Sequence, residues 1–181
     1  NVATREEEKK RNNKCWQEIL FEMVNKKWKR ENYLLSYKPK TKEIYDIGFN
    51  THIGPKFPVK SLPPESWKIL EKKLAPDFKI SYQQSLDNIK GYIDWINQSK
   101  LIITNDSLGL HIAVALNKKI IALIGPTSTT EIPALPNIKI IKPRLKRSCI
   151  PCFKQYCPYR DPCMKYIPLD SVVKICHEAL R

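Results

Sequence analysis

An α/β fold, with a parallel sheet covered by helices on both faces, is predicted by three features of the chain. Two short runs, Leu101-Ile102-Ile103 and Ile120-Ile121-Ala122-Leu123, are wholly apolar, as strands are when helices bury both of their faces. Segments of helical periodicity alternate with strand-like ones, which implies parallel strands joined by crossover helices. Between the two apolar runs lies Thr104-Asn105-Asp106-Ser107-Leu108-Gly109-Leu110-His111. A strand that ends in small polar residues and a glycine, followed by an apolar helix, presents free backbone amides to an anionic ligand.

The elements follow in order. Cys15 to Trp28 places Trp16, Ile19, Leu20, Met23 and Val24 at helical spacing, so an amphipathic helix is expected there behind the charged lead Arg5 to Arg11. Tyr33 to Pro39 reads as extended and Lys40-Thr41-Lys42 as a polar connector, so residues 1–43 form lead, helix and connector. Ile44 to Asn50 is the first strand, and a loop with Gly54, Pro55, Pro58 and Pro63 leads to a helix with Pro64 in its first turn. Trp67, Leu70 and Leu74 give that helix its apolar stripe. Lys79 to Gln83 is a second strand, and Ile89, Tyr92, Ile93 and Ile96 mark the next helix. Leu101 to Thr104, the helix Gly109 to Leu116 and the strand Ile120 to Ile124 follow, closed by Gly125-Pro126-Thr127. Ile138 to Ile141 is an edge strand, and residues 149–163 are a Pro- and Cys-rich loop. Asp170 is expected to cap a final helix, within 167–181, that turns Val172, Val173, Cys176 and Leu180 inward. Residues 44–166 thus read as one Rossmann-like domain, with Asn50, Thr104 to Ser107 and Gly125 to Thr127 at the carboxyl ends of its strands, where such sheets bind ligands.

With 181 residues the chain suits one well-cored domain with additions. No apolar run approaches the roughly 20 residues of a spanning helix. The first residue is Asn1 and no signal-peptide core follows, so a fragment of a longer protein is expected. A net charge of +14 points to an anionic partner: nucleic acid, a membrane surface or phosphorylated substrates. Solvated lysine-rich faces account for the same number. The basic runs Lys26 to Arg30 and Arg144 to Arg147 are short and dispersed, and no aromatic RNA-binding pattern accompanies them, so nucleic acid is not the favoured partner.

The string T-N-D-S-x-G-x-H-x-A-x-A-L, followed by I-A-L-I-G-P-T, resembles the nucleotide-sugar half of glycosyltransferase family 9, the ADP-heptose:lipopolysaccharide heptosyltransferases and their relatives. Gly48-Phe49-Asn50, Gly54-Pro55-Lys56 and Lys60-Ser61-Leu62-Pro63-Pro64-Glu65-Ser66-Trp67 are further matches, the last similar to the family's K-x-W-P-x-x-x-W, and Cys149 to Met164 is similar to a cysteine-bearing tail of many members. The resemblance runs from about Tyr33 to the C-terminus. It implies the C-terminal, donor-binding half of a GT-B fold and an inverting, metal-independent transfer that needs no cofactor. A nucleotide sugar, ADP-heptose or a similar one, is then the donor, and a lipopolysaccharide-type glycan is the acceptor through a missing N-terminal domain. The family's catalytic Asp lies in that domain, so no base is assigned here and the fragment alone is expected to be inactive; the alternative is a non-catalytic module that binds zinc and nucleic acid, or phosphate. A cytoplasmic location follows, with contact to an anionic inner membrane face through the basic surface.

Donor-binding residues are then expected at Lys60, Asp106, Ser107, Leu108, Gly109 and His111, and further contacts at Asn50, Thr51 and Thr127. Lys60 matches the family's phosphate-neutralising lysine. Ser107 and adjacent amides are expected to donate to the diphosphate, and a plain helix N-cap is the lesser reading of Asp106, compatible with binding. His111 projects from the first turns of the helix. Two departures stand out: Leu108 occupies a position where relatives often have Gly, and the loop after the second strand lacks the family's Gly-Gly-x-x-Glu, leaving base and ribose contacts unassigned. Cys149, Cys152, Cys157 and Cys163 lie close enough in sequence for tetrahedral zinc but lack paired knuckles, so reduced or transiently disulfide-bonded cysteines are favoured over metal. Cys15 and Cys176 read as small core residues.

Overall fold

Residues 12–84 and 87–181 are described by the structure, a computed structural model. The charged lead of the sequence reading lies outside them. Helix α1 spans Trp16–Met23, and strand β1 spans Tyr45–Asn50. After a 3-10 turn at Pro58–Lys60 come α2 (Pro64–Leu74), β2 (Ile80–Tyr82), α3 (Ile89–Asn97) and β3 (Ser99–Asn105). They are followed by α4 (Leu108–Ala115), β4 (Lys119–Leu123), β5 (Ile138–Ile141) and α5 (Leu169–Leu180).

All five strands run parallel in the order β2-β1-β3-β4-β5. Side chains alternate across the sheet, so each face has its own core. On one face Ile47, Phe49, Leu101, Ile103 and Leu123 pack with Trp67, Leu70 and Leu74 of α2 and Val172 and Cys176 of α5. On the other, Ile102, Ile120 and Ala122 meet Tyr92, Ile93 and Ile96 of α3 and Leu110, Ile112 and Ala113 of α4. The chain goes out from β1 to β2 and returns to β3 on the opposite side of β1. That reversal opens a crevice above the carboxyl ends of β1 and β3, the position at which doubly wound sheets take ligands.

Two helix ends differ from the sequence reading. The helix expected over Cys15 to Trp28 stops at Met23, because Asn25 takes φ 56° and ends it. Lys26 N–H donates to the Phe21 carbonyl and Asn25 N–H to that of Glu22, a Schellman closure with asparagine in the left-handed position. The helix buries none of its residues, and Met23 and Val24 are exposed. At the other end of the chain, Pro168 is the N-cap of α5, not Asp170. Asp170 sits in the first turn, where its charge suits the helix dipole, and pairs with Lys73 at 3.0 Å. Cys15 and Cys176 are buried, as their apolar neighbours imply.

Residues 33–43 form a strap across the α3 and α4 face. Tyr33, Leu35 and Tyr37 pack on its core. The Tyr37 hydroxyl donates to both oxygens of Asp94 at 3.0 and 2.8 Å, and Asn97 Nδ2 donates to the Thr41 carbonyl at 2.7 Å. At the strap's end Lys118, almost wholly buried, donates to Glu43 at 2.8 Å and to the Asn97 carbonyl at 2.7 Å. No helix among the described residues is long and apolar enough to cross a membrane.

Candidate functional site: an anion cradle at the strand crevice

The peptide between β3 and α4 is shaped by a buried polar cluster. Asn50, at the end of β1, is fully buried, and its amide nitrogen donates to Thr104 Oγ1 at 2.7 Å and to Ser107 Oγ at 2.8 Å. Its carbonyl oxygen accepts from the Tyr92 hydroxyl at 2.5 Å. Burial pushes the Tyr92 phenol well above its ordinary pKa, so it remains a donor at any physiological pH. Asn50 therefore has its hydrogen bonds inside the protein, and it fixes the turn from below.

Ser107 is the N-cap of α4, yet its hydroxyl makes no capping bond. The residue type is one that normally satisfies the first helical amides. Here the hydroxyl is engaged by Asn50, so the amides of Leu108 and Gly109 are not capped by it, while that of Leu110 donates to the Ser107 carbonyl at 3.1 Å. Asp106 does not cap the helix either. Its Oδ2 accepts from Lys60 Nζ at 2.7 Å and from Thr127 Oγ1 at 2.8 Å. Lys60 and Asp106 are both largely buried, at 19% and 17% side-chain exposure, so screening by solvent is weak and the pair is held firmly. One carboxylate thus ties together the Pro58–Lys60 turn, the end of β3 and the turn after β4.

Gly109 accounts for the departure at Leu108. A Cβ at Gly109 would collide with the Tyr92 hydroxyl and the Asn50 amide, whereas Leu108 is exposed at the helix start. Glycine is needed where the helix approaches Asn50, one residue beyond the place where relatives often have it. His111 stands in the second turn, stacked on Tyr33 at 5.9 Å between ring centroids and 23° between planes. Burial lowers its pKa, with Asp106 opposing and Lys60 adding to that effect. The imidazole is therefore neutral at pH 7 and offers one N–H donor instead of a charge. Thr51 follows β1 and lines a groove of about 540 Å³ with His52, Leu62, Trp67, Tyr82 and Gln83. The Leu62 amide donates to Asn105 Oδ1 at 3.1 Å, joining this groove to the end of β3. Trp67 Nε1 and Asn105 Nδ2 are buried donors without a partner among the described residues.

The structure thus brings Lys60, Asp106, Ser107, Gly109, His111 and Thr127 to one rim, with Asn50 beneath it. Tyr92 was missed because its spacing marks it as a core residue, and Tyr33 because it precedes the domain. Cys149, Cys152, Cys157 and Cys163 are free thiols, and no group of three or more His, Cys, Asp or Glu among the described residues is placed to hold a metal ion. Zinc at these cysteines is therefore unsupported. Instead the loop docks on the turn after β4: Cys152 and Phe153 N–H donate to the Pro126 carbonyl at 3.0 and 2.8 Å, and Cys163 packs under that turn.

Residues 87–162 match the family described as Glycosyltransferase family 9 (heptosyltransferase). Two proteins of Campylobacter jejuni subsp. jejuni named Lipooligosaccharide heptosyltransferase 2 are similar. The one from serotype O:6 is 29% identical over 111 residues, 61% of this chain and 34% of the relative. The one from serotype O:2 is 27% identical over 118 residues, 65% of this chain and 36% of the relative. Among solved structures, E. coli ADP-heptose lps heptosyltransferase II aligns with a TM-score of 0.54 and 22% identity, over 81% of this chain and 48% of that one. The iron-containing dodecameric glycosyltransferase TibC of enterotoxigenic E. coli aligns with a TM-score of 0.62 and 11% identity, over 83% and 50%. The chain spans about a third of the length of these curated relatives and about half that of the solved structures. Family match, relatives and architecture agree with the motif at the β3–α4 turn: over residues 87–162, which include that turn, the chain is similar to the heptosyltransferases of glycosyltransferase family 9.

Proposed function

We propose that the chain is the donor-binding part of a heptosyltransferase-like enzyme and holds a nucleotide sugar such as ADP-heptose at the β3–α4 turn. The observation that carries this reading is the N-cap of α4. Ser107 turns its hydroxyl to Asn50 and leaves the amides of Leu108 and Gly109 open beside Lys60 and His111. Uncapped amides at a helix N-terminus, a lysine and a neutral imidazole donor together match a diphosphate. Lys60 exchanges its bond to Asp106 for one to phosphate, while Thr127 keeps Asp106 in place. The nucleoside extends toward the groove with Tyr82 and Trp67, whose rings supply the apolar surface that a base needs.

In the inverting reaction the acceptor hydroxyl loses its proton to a base and attacks the anomeric carbon. The nucleoside diphosphate leaves with the electron pair of the broken C–O bond. The residues here act on that leaving group, because the charge that develops on it is stabilised by preoriented amides and Lys60. The acceptor is a lipooligosaccharide-type glycan, and the base is supplied by residues outside this chain, so the chain alone binds donor without transferring sugar. Calorimetric titration with ADP-heptose and with ADP tests the reading. Binding is expected to weaken about tenfold or more in Lys60→Ala and Asp106→Ala, with the thermal transition retained. Folded protein that takes up neither ligand would overturn it.

A further inference from the structure

Beside the cradle, on the far side of Thr127, lies a second groove of about 260 Å³. Thr127, Ser128 and Thr129 form one wall, and Lys142, Lys146 and Arg147 line it from the segment after β5. Among the described residues, no acidic one lines it. Neither Lys142 nor Lys146 has an ion-pair partner among the described residues. Arg147 is half-buried and fixed: its guanidinium lies 4.4 Å from the Tyr159 ring centroid and 5.8 Å from that of Tyr166, and Nη1 donates to the Asp161 carbonyl at 2.7 Å. These contacts orient the guanidinium without neutralising it.

Three cations that converge on one concavity repel one another, and that cost is recovered when an anion enters. The hydroxyl of Thr129 adds a neutral donor of the kind that completes a phosphate site, while that of Ser128 is engaged by Thr130. The volume is below that of pockets for nucleotide-sized ligands, yet exceeds what a bare ion needs. We infer that this groove is a second anion site, contiguous with the cradle through Thr127, which takes a phosphate-bearing sugar. The Cys-rich loop has a place in this arrangement. By docking Cys152 and Phe153 on Pro126 it holds the 125–127 turn that separates the two sites.

Calorimetry with glucose 6-phosphate, before and after saturation with ADP, tests the inference on the full chain, with glucose and inorganic phosphate as controls. The expected result is one equivalent of glucose 6-phosphate bound whether or not ADP is present, more tightly than inorganic phosphate, with glucose not bound. Lys142→Ala and Lys146→Ala should each lower the affinity about five- to tenfold, and Lys146→Glu more, while Lys60→Ala leaves it unchanged. Displacement of glucose 6-phosphate by ADP would show a single anion site and overturn the inference. Equal affinity for inorganic phosphate, or binding indifferent to the lysine variants, would overturn it as well. If ADP itself fails to bind, the donor reading falls, and the glucose 6-phosphate titration still decides this one.

Discussion

A Cβ added at Gly109 lands on the Tyr92 hydroxyl and on the amide of Asn50, both buried and both already bonded to each other. Neither can give way without breaking the cluster that turns Ser107 away from its helix. Gly109→Ala should therefore lose about 1–3 kcal/mol of stability, as overpacked cores do, and bind ADP more weakly than that loss explains. Tyr92→Phe removes the oxygen that the new methyl meets. The double variant should recover part of the stability of Gly109→Ala, which urea denaturation measures, and strict additivity of the two changes would count against the contact. The same residues show where sequence reasoning stops. Ser107 and Gly109 are legible because strand, turn and helix are neighbours along the chain. The bond between Asn50 and Tyr92 joins residues 42 apart, and Tyr92 carries the helical spacing of an ordinary core residue.

At the scale of elements, β3 and β4 were legible from composition, because burial on both faces requires unbroken apolar runs. The N-terminal helix was legible too, but its end was not, since that depends on a left-handed Asn25 and not on the apolar spacing that continues past it. The strap of residues 33–43 has the sequence of a connector, and its packing against α3 and α4 rests on Leu35 and on two tyrosines, one of them hydrogen-bonded to Asp94. Asp94 is its anchor: it accepts both bonds from Tyr37, and its backbone carbonyl accepts from Thr41 Oγ1 at 3.3 Å. Asp94→Ala leaves the Tyr37 phenol without its partner and should loosen the strap. Limited proteolysis is expected to cut faster within 33–43 in this variant, and His111 should lose some of its stacking on Tyr33. Unchanged cleavage would mean that the apolar contacts of Leu35 hold the strap unaided. The basic groove was illegible for a related reason. Arg144 to Arg147 is a short run in sequence, and only the fold brings Lys146 and Arg147 opposite the Thr127 to Thr129 segment that follows β4.

For the molecule as a whole, the buried thiols Cys163 and Cys176, with the phenols of Tyr33 and Tyr82, set a limit on alkaline stability. Burial pushes the Cys176 thiol up to about 12, and burial with the neighbouring thiols pushes Cys163 up to about 11. Tyr33 and Tyr82 rise to about 12, chiefly through burial. In each case the folded value lies above the unfolded one, so the fold retains a proton that the unfolded chain releases. The stabilisation is complete below the unfolded thiol value of 9.0 and is lost as pH rises through the folded values of about 11 to 12. Each such thiol adds a slope of about 1.4 kcal/mol per pH unit within that window. An opposing effect acts there too, because deprotonating lysines relieve the self-repulsion of a chain carrying +14. Cys176→Ala separates the two, since it removes one buried thiol and leaves every lysine. Urea midpoints from pH 8 to 10.5 should fall in the parent protein under reducing conditions and fall less steeply in the variant. Parallel slopes in the two proteins would show that Cys176 does not hold its proton in the fold, and that the alkaline limit arises elsewhere.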